Sequence, residues 1–459
     1  MEVVVKSSEA IKPSSPTPSH LGRHYRSFID QTNPKLFMPT IYYYPPPPPN
    51  NMNNDPIAAN AERIDSLKRS LADVLTSFYP FAGRATDPSF IDCNDSGVVF
   101  TQAVVIDHRC ITDVIAEKNA QQLSPLLPFS TEITGAGVHD DERLLGVQAN
   151  IFKCGGLALG VSWSHNICDA FCFINFINSW ARLARGEEIT PPTTISASIF
   201  PPLDNLSMFG TNNNSSSSDI NDIDETNKNR ANEENNKNEG RKVVVTTKVF
   251  RFSGASISSL KDKYSEQGRP ELIPTSAEAL STFIWTRFYE SRKKQSRRYF
   301  ITQMVNLRNK ADPGLKLDSC IGNVCQFVVV HPDLELVDGS SGYGIVRRMR
   351  AAIRKFDVEY LKKLEKGDAS LFFEGLVDPF EEGTSMFMFS CMNRFPYYDA
   401  DFGWGRPIWV SYGHFDFSNF AFMIPTESGD GVDVWLNMNE DDMKELQLDQ
   451  QFINTLLLS

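Results

Sequence analysis

The chain of 459 residues is poor in positive charge: 45 Lys and Arg stand against 57 Asp and Glu, a formal net charge of −12. Nucleic-acid backbones are held by clustered Lys and Arg, so no nucleic-acid partner is expected. The one dense basic stretch, Arg292, Lys293, Lys294, Arg297 and Arg298, falls between a helix-like and a strand-like segment and reads as a solvated loop rather than a phosphate site. Long apolar runs are also missing. No window reaches the roughly 18 consecutive apolar residues of a membrane span, and the opening MEVVVKSSEA has no basic region followed by an apolar stretch. Neither membrane insertion nor secretion is expected, and a cytoplasmic location follows. The eight cysteines are scattered, without the paired spacing of a disulfide scaffold or a zinc ribbon, which suits reduced thiols. There is no Gly-rich phosphate cradle. The segment Gly160-Val161-Ser162-Trp163-Ser164 carries Ser where a nucleophile elbow needs its last Gly. Dinucleotide enzymes and serine hydrolases are thereby disfavoured.

What is present is a large globular protein. With 41% hydrophobic residues and 32 Phe, and a length beyond that at which one core stops growing, the chain calls for two domains. A first domain is read over 1–205, an Asn/Ser-rich disordered linker over 206–242 and a second domain over 243–459. The linker is assigned because its Asn, Ser, Asp, Glu and Lys cannot bury enough apolar surface to order it. Tyr42-Tyr43-Tyr44 runs into Pro45 to Pro49, an exposed loop that cannot be helical. Ile64, Leu67, Leu71, Val74, Leu75 and Phe78 recur at helical spacing and predict an amphipathic helix ending before Pro80. Strands are expected over 98–105, 144–152 and 157–161, then over 243–252 and 300–305, with a helix over 276–289 whose N-cap region contains Ser276.

The expected strand at 157–161 delivers the chain to Ser164-His165-Asn166-Ile167-Cys168-Asp169, ahead of a helix-like run through Phe173, Phe176, Ile177 and Trp180. An imidazole at a strand-to-helix turn is held by rigid elements, yet can reach a cleft and accept a proton at neutral pH. His-x-x-x-Asp alone is a weak signal. It also fits a satisfied surface pair, and His165, Cys168, Asp169 and Cys172 on one helix face would offer metal ligands. A reactive Cys168 is a further alternative.

Two more segments narrow the choice. Asp399-Ala400-Asp401-Phe402-Gly403-Trp404-Gly405-Arg406-Pro407 follows the His motif at a distance, and Val305-Asn306-Leu307-Arg308 lies between them. Together with Phe78-Tyr79-Pro80-Phe81-Ala82-Gly83-Arg84 they resemble the plant BAHD family of acyl-CoA-dependent acyltransferases. Ile91 to Gly97 and Phe152-Lys153-Cys154-Gly155-Gly156 are similar to its vinorine synthase-like branch. The resemblance covers almost the whole chain outside the linker, and the Asp401 to Gly405 motif is its most specific part. It departs at Ser390-Cys391-Met392, where relatives often carry Thr-Ser-Trp, and at Ala170, where many carry Gly.

The resemblance implies an α/β fold of two chloramphenicol acetyltransferase-like domains with a channel at their interface. His165 would be the catalytic base, and Asp169 would pair with Arg308 to support its loop. Asp401, Phe402, Gly403, Trp404 and Gly405 would shape the channel away from the reacting centre; their chemistry alone suggests a tight loop anchored by an indole. Ser276 and Ser390 are candidates for contacts with the co-substrate, an acyl-CoA and by default acetyl-CoA, with no metal. The activity implied is O-acylation of a terpenoid or alkaloid alcohol by a cytoplasmic monomer that binds neither nucleic acid nor membrane. The alternative is a non-catalytic member that binds acyl-CoA or a protein partner.

Overall fold

The computed structural model describes residues 1–48, 55–107, 109–129, 142–203, 244–265, 273–292, 298–331, 342–374 and 383–458. The linker read over 206–242 lies outside the described residues, as do Pro49 and the Lys293, Lys294 and Arg297 of the basic stretch. Two six-stranded sheets organise the chain. The first is built from β1 (Val3–Ile11), β2 (Phe37–Tyr44), β3 (Val98–Val105), β4 (Leu145–Ile151) and β5 (Leu157–Ser164). The second is built from β6 (Val245–Phe252), β7 (Arg298–Asn306), β8 (Cys325–Val330), β9 (Thr384–Cys391), β11 (Phe420–Pro425) and β12 (Val432–Asn439). The short β10 (Trp409–Ser411) belongs to the C-terminal half by chain order but joins the first sheet, antiparallel to β2. The sheet orders are β1-β3-β4-β5-β2-β10 and β8-β7-β9-β11-β12-β6.

Helices cover each sheet. Helix α1 (Pro56–Ser77) starts where the Asp55 side chain accepts from the Ile57 N–H at 2.9 Å, with Pro56 in its first turn, where its missing N–H costs nothing. Its buried stripe of Ile64, Leu67, Leu71, Val74 and Leu75 is the periodicity visible in the sequence. Each such side chain contributes about 1.5–3 kcal/mol relative to exposure. Helix α2 (Ala170–Ala184) packs beside α1 and buries Phe173, Phe176, Ile177 and Trp180. Under the second sheet, α3 (Ser276–Arg292) is buried nearly all round from Ala279 to Trp285. Thr275 rather than Ser276 caps it: Thr275 Oγ1 accepts from Glu278 N at 3.2 Å, and Glu278 Oε2 accepts from Thr275 N at 2.8 Å.

The second sheet shows how a cavity arises from a two-residue repeat. On β9, Phe387 and Phe389 face the helices and are fully buried, whereas Met386, Met388 and Ser390 face the first half of the molecule and stay partly exposed. β5 is packed tightly on both faces, and a β-carbon on Gly160 would run into the backbone carbonyl oxygen of Leu126. Gly160→Ala is therefore expected to destabilise the protein by roughly 1–3 kcal/mol or more, because neither main chain can retreat. A thermal melt unchanged from wild type would contradict this packing.

Candidate active site

His165 follows the last residue of β5, and its backbone N–H donates to the Leu36 carbonyl at 3.0 Å, which fixes the turn. The half-buried ring lies against Trp163, with centroids 5.5 Å apart, and Trp163 is itself stacked on Phe173 at 4.8 Å. Nδ1 is buried without a hydrogen-bond partner, which leaves Nε2 as the ring nitrogen available to the adjoining space. That space is a cavity of about 810 Å³ between the two sheets, within the usual range of small-molecule sites. Met38 and Trp163 line it from the first sheet, and Met304, Phe327, Met386, Met388 and Phe422 from the second. Burial holds the imidazole below its ordinary value, and the charge of nearby Asp169 pulls upward without overcoming it. His165 is thus neutral at pH 7.

Asp169 caps α2. Its Oδ1 accepts from Cys172 N at 2.9 Å, while Oδ2 accepts from Val324 N at 2.9 Å and from Arg308 Nη1 at 2.7 Å. Burial raises the pKa of the carboxyl, yet Arg308 and the two N–H donors more than reverse this and keep it below its ordinary value. Arg308 also donates through Nε to the Leu317 carbonyl at 3.2 Å, and its guanidinium sits 4.7 Å above the Phe171 ring. Both carboxylate oxygens are engaged in this way, which ties the start of α2 to Val324 and Arg308.

The helical face proposed for metal ligation does not exist. α2 begins at Ala170, so His165 and Cys168 precede it and Asp169 is committed to Arg308. The reactive-thiol alternative fails as well, because burial, and then its neighbour Cys172, pushes the Cys168 thiol well above its ordinary value.

Asp401 forms its own loop. Its Oδ1 accepts from Gly403 N at 2.8 Å and Gly405 N at 3.0 Å, and both glycines adopt positive φ (103° and 100°) that other residues avoid. Trp404 stacks on Phe402 with centroids 5.6 Å apart, meets Tyr44 edge-on and lies under the Arg63 guanidinium at 5.3 Å. None of the residues from Asp401 to Gly405 lines the cavity. Of the two serines, Ser390 lines it from β9, whereas Ser276 opens α3 outside the cavity wall.

Two residues that the sequence reading did not single out complete the support. Asn323 Nδ2 donates to the His165 carbonyl at 2.9 Å and to Asp30 Oδ1 at 2.8 Å. Asp30 is buried, and it also accepts from Asn323 N at 2.6 Å, from the Ser27 hydroxyl at 2.7 Å and from Ser196. The local signal for Asp30 is present: Ser27-Phe28-Ile29-Asp30 is a capping box ahead of a short helix. Nothing local marks Asn323.

A profile of the Transferase family matches residues 1–453. Epi-neemfruitin B synthase of Melia azedarach is 31% identical over 461 residues, covering 98% of the chain and 97% of its own length. Stemmadenine O-acetyltransferase of Catharanthus roseus is 30% identical over 457 residues, with the same shares of 98% and 97%. The crystal structure of vinorine synthase, an enzyme known from Rauvolfia serpentina, matches with a TM-score of 0.76 at 29% identity, covering 97% of the chain and 98% of its own. The expected fold, two chloramphenicol acetyltransferase-like α/β halves facing each other, is the one observed.

Arg308→Ala leaves the Asp169 carboxylate buried without its partner and is expected to cost about 3–5 kcal/mol of stability. Denaturant unfolding of Arg308→Ala beside the double variant with Asp169→Ala measures the coupling; additive losses would mean that the pair holds nothing together. Asn323→Ala should lower turnover while leaving the melting temperature within a few degrees of wild type, and the converse pattern would make Asn323 a packing residue only.

Proposed function

We propose an activity from one premise: the chain belongs to the Transferase family, the plant BAHD acyltransferases, whose profile spans it almost from end to end. The protein is an acyl-CoA-dependent O-acyltransferase that delivers an acyl group, acetyl by default, to a hydroxyl of a terpenoid or alkaloid alcohol. The relatives support both halves of that statement, since stemmadenine O-acetyltransferase and a limonoid 1-O-acetyltransferase of Citrus sinensis, 31% identical, are named for such acceptors. The observation that carries the reading is the placement of neutral His165 in the wall of a large, mostly apolar cavity between the two sheets.

His165 Nε2 takes the proton from the acceptor hydroxyl as that oxygen attacks the thioester carbonyl. The tetrahedral intermediate then collapses, the carbon–sulfur bond breaks, and the imidazolium returns the proton to the departing coenzyme A thiolate. Both substrates lie in one cavity, so orientation replaces a covalent acyl-enzyme. Asp169 and Arg308 hold the loop and do not relay the proton. The Asp401 to Gly405 loop packs at a distance from the reacting atoms, and Ser390 is the serine placed to meet a substrate. Action as a cytoplasmic monomer completes the proposal.

His165→Ala should lower turnover by roughly 10²- to 10⁴-fold. This is measured by mass spectrometry of the acylated product, with acetyl-CoA and a panel of terpenoid and alkaloid alcohols. If wild type and variant form no product alike while coenzyme A still binds, the protein is a binding module. The pH profile is a second check. Only the neutral imidazole accepts the proton, and burial lowers its pKa, so activity is retained as pH falls to the ordinary histidine value near 6.5 and is lost below it. An acid limb of kcat/KM centred at or above 6.5 would remove His165 from the role of base.

A further inference from the structure

Of the thiols outside the proposed proton path, three neighbourhoods bear comparison. Cys168 and Cys172 are in contact but fully buried, so no oxidant in solution reaches them. Cys391 lines the cavity, where its sulfur meets Ser281 and the Met423 thioether, each at 3.7 Å. Cys110 and Cys154 differ from both, being partly exposed and in contact with each other.

The geometry of that pair is specific. Cys110 immediately precedes the helix Ile111–Glu117, and its backbone N–H donates to Asp113 at 2.7 Å. Cys154 sits in the turn Phe152 to Gly156 between β4 and β5, closed by the Gly155 N–H donating to the Phe152 carbonyl at 2.8 Å, with Gly155 at φ +83°. Three contacts hold the turn against the helix. The Ile111 N–H donates to the Cys154 sulfur at 3.5 Å, the Cys110 side chain lies against that of Cys154, and Gly156 lies so close to Ile111 that a β-carbon there would come within 2.8 Å of it. On the other side of the turn, the Gly155 carbonyl accepts from Asn60 Nδ2 at 3.0 Å, so the turn cannot drift from α1.

We propose that Cys110 and Cys154 are a peroxide-reactive dithiol that closes to a disulfide, stapling the β4–β5 turn to the helix that follows β3. The sulfur of Cys154, which sits against the Ile111 N–H at 3.5 Å, is the attacking group. It attacks one oxygen of hydrogen peroxide, the O–O bond breaks, and water leaves once the departing oxygen is protonated, giving the sulfenic acid of Cys154. The Cys110 sulfur then loses its proton and attacks the sulfenic sulfur. The S–O bond breaks, a second water leaves and the disulfide forms. Two thiols are oxidised and one peroxide is reduced to two waters. The staple lies at the opposite end of the eight-residue β5 from His165, roughly 25 Å away, so it tightens the sheet without touching the chemistry.

The test uses the full-length protein exposed to hydrogen peroxide, then alkylated, digested and analysed by mass spectrometry without reduction. Expected are a peptide pair linked through Cys110 and Cys154, two of the eight thiols lost, and a melting temperature raised by roughly 5 °C or more that falls back after dithiothreitol. Acyl transfer by the oxidised protein should be unchanged. Cys110→Ser and Cys154→Ser should each abolish both the link and the shift; if one variant folds poorly, the other decides. The proposal is overturned if Cys154 proceeds to sulfinic acid while Cys110 stays alkylatable, if all eight thiols survive, or if the link joins any other pair.

Discussion

Everything about the candidate site depends on one buried ion pair, Asp169 with Arg308, which joins residues 139 positions apart. Two charges this deeply buried are costly to desolvate, and their mutual attraction repays the cost only when the remaining hydrogen-bonding capacity is also met. It is met: Cys172 and Val324 donate to the carboxylate, the Leu317 carbonyl accepts from the guanidinium, and Phe171 offers its ring face. Because Asp169 caps α2 and Arg308 follows β7, the pair fixes the first half of the molecule against the second at the point where His165 enters the cavity.

A second polar path reinforces the first. Asp30 gathers donors from Ser27, Ser196 and Asn323, and Asn323 passes that constraint to the main chain of His165. The two paths hold the histidine by its backbone and its flanking residues while leaving Nε2 unencumbered. An imidazole held in this way loses little freedom when substrates arrive, and the burial that keeps it neutral at pH 7 is supplied by the same packing. The Asp401 loop plays a different part: its glycines and stacked aromatics bind the C-terminal half to Tyr44 and Arg63 of the first.

The cavity itself is a consequence of strand alternation. One set of side chains on β9 fills the core beneath α3, so the other set must face the opposite sheet. On this side Met386, Met388 and Ser390 leave open space rather than a packed core. Flexible thioethers on such a surface can follow the outline of a guest more readily than branched side chains could.

By itself the sequence determined what is local. The stripe from Ile64 to Leu75 dictated α1, because helical periodicity is set by near neighbours. The turn that carries His165 between a buried strand and a helix was legible for the same reason, and the glycines around Trp404 announced a tight loop. Strand limits at 145–151 and 298–306 came within a residue or two of the reading. The pairing of Asp169 with Arg308 was implied only by family resemblance, since nothing in the chain between them encodes a contact. Tertiary structure alone decided that α2 starts at Ala170 and so dissolves the helical face proposed for metal ligation. It also placed Asn323 behind His165 and carried Trp409–Ser411 across to the first sheet. These outcomes rest on which long-range partner satisfies each buried polar group, a question that local pattern cannot answer.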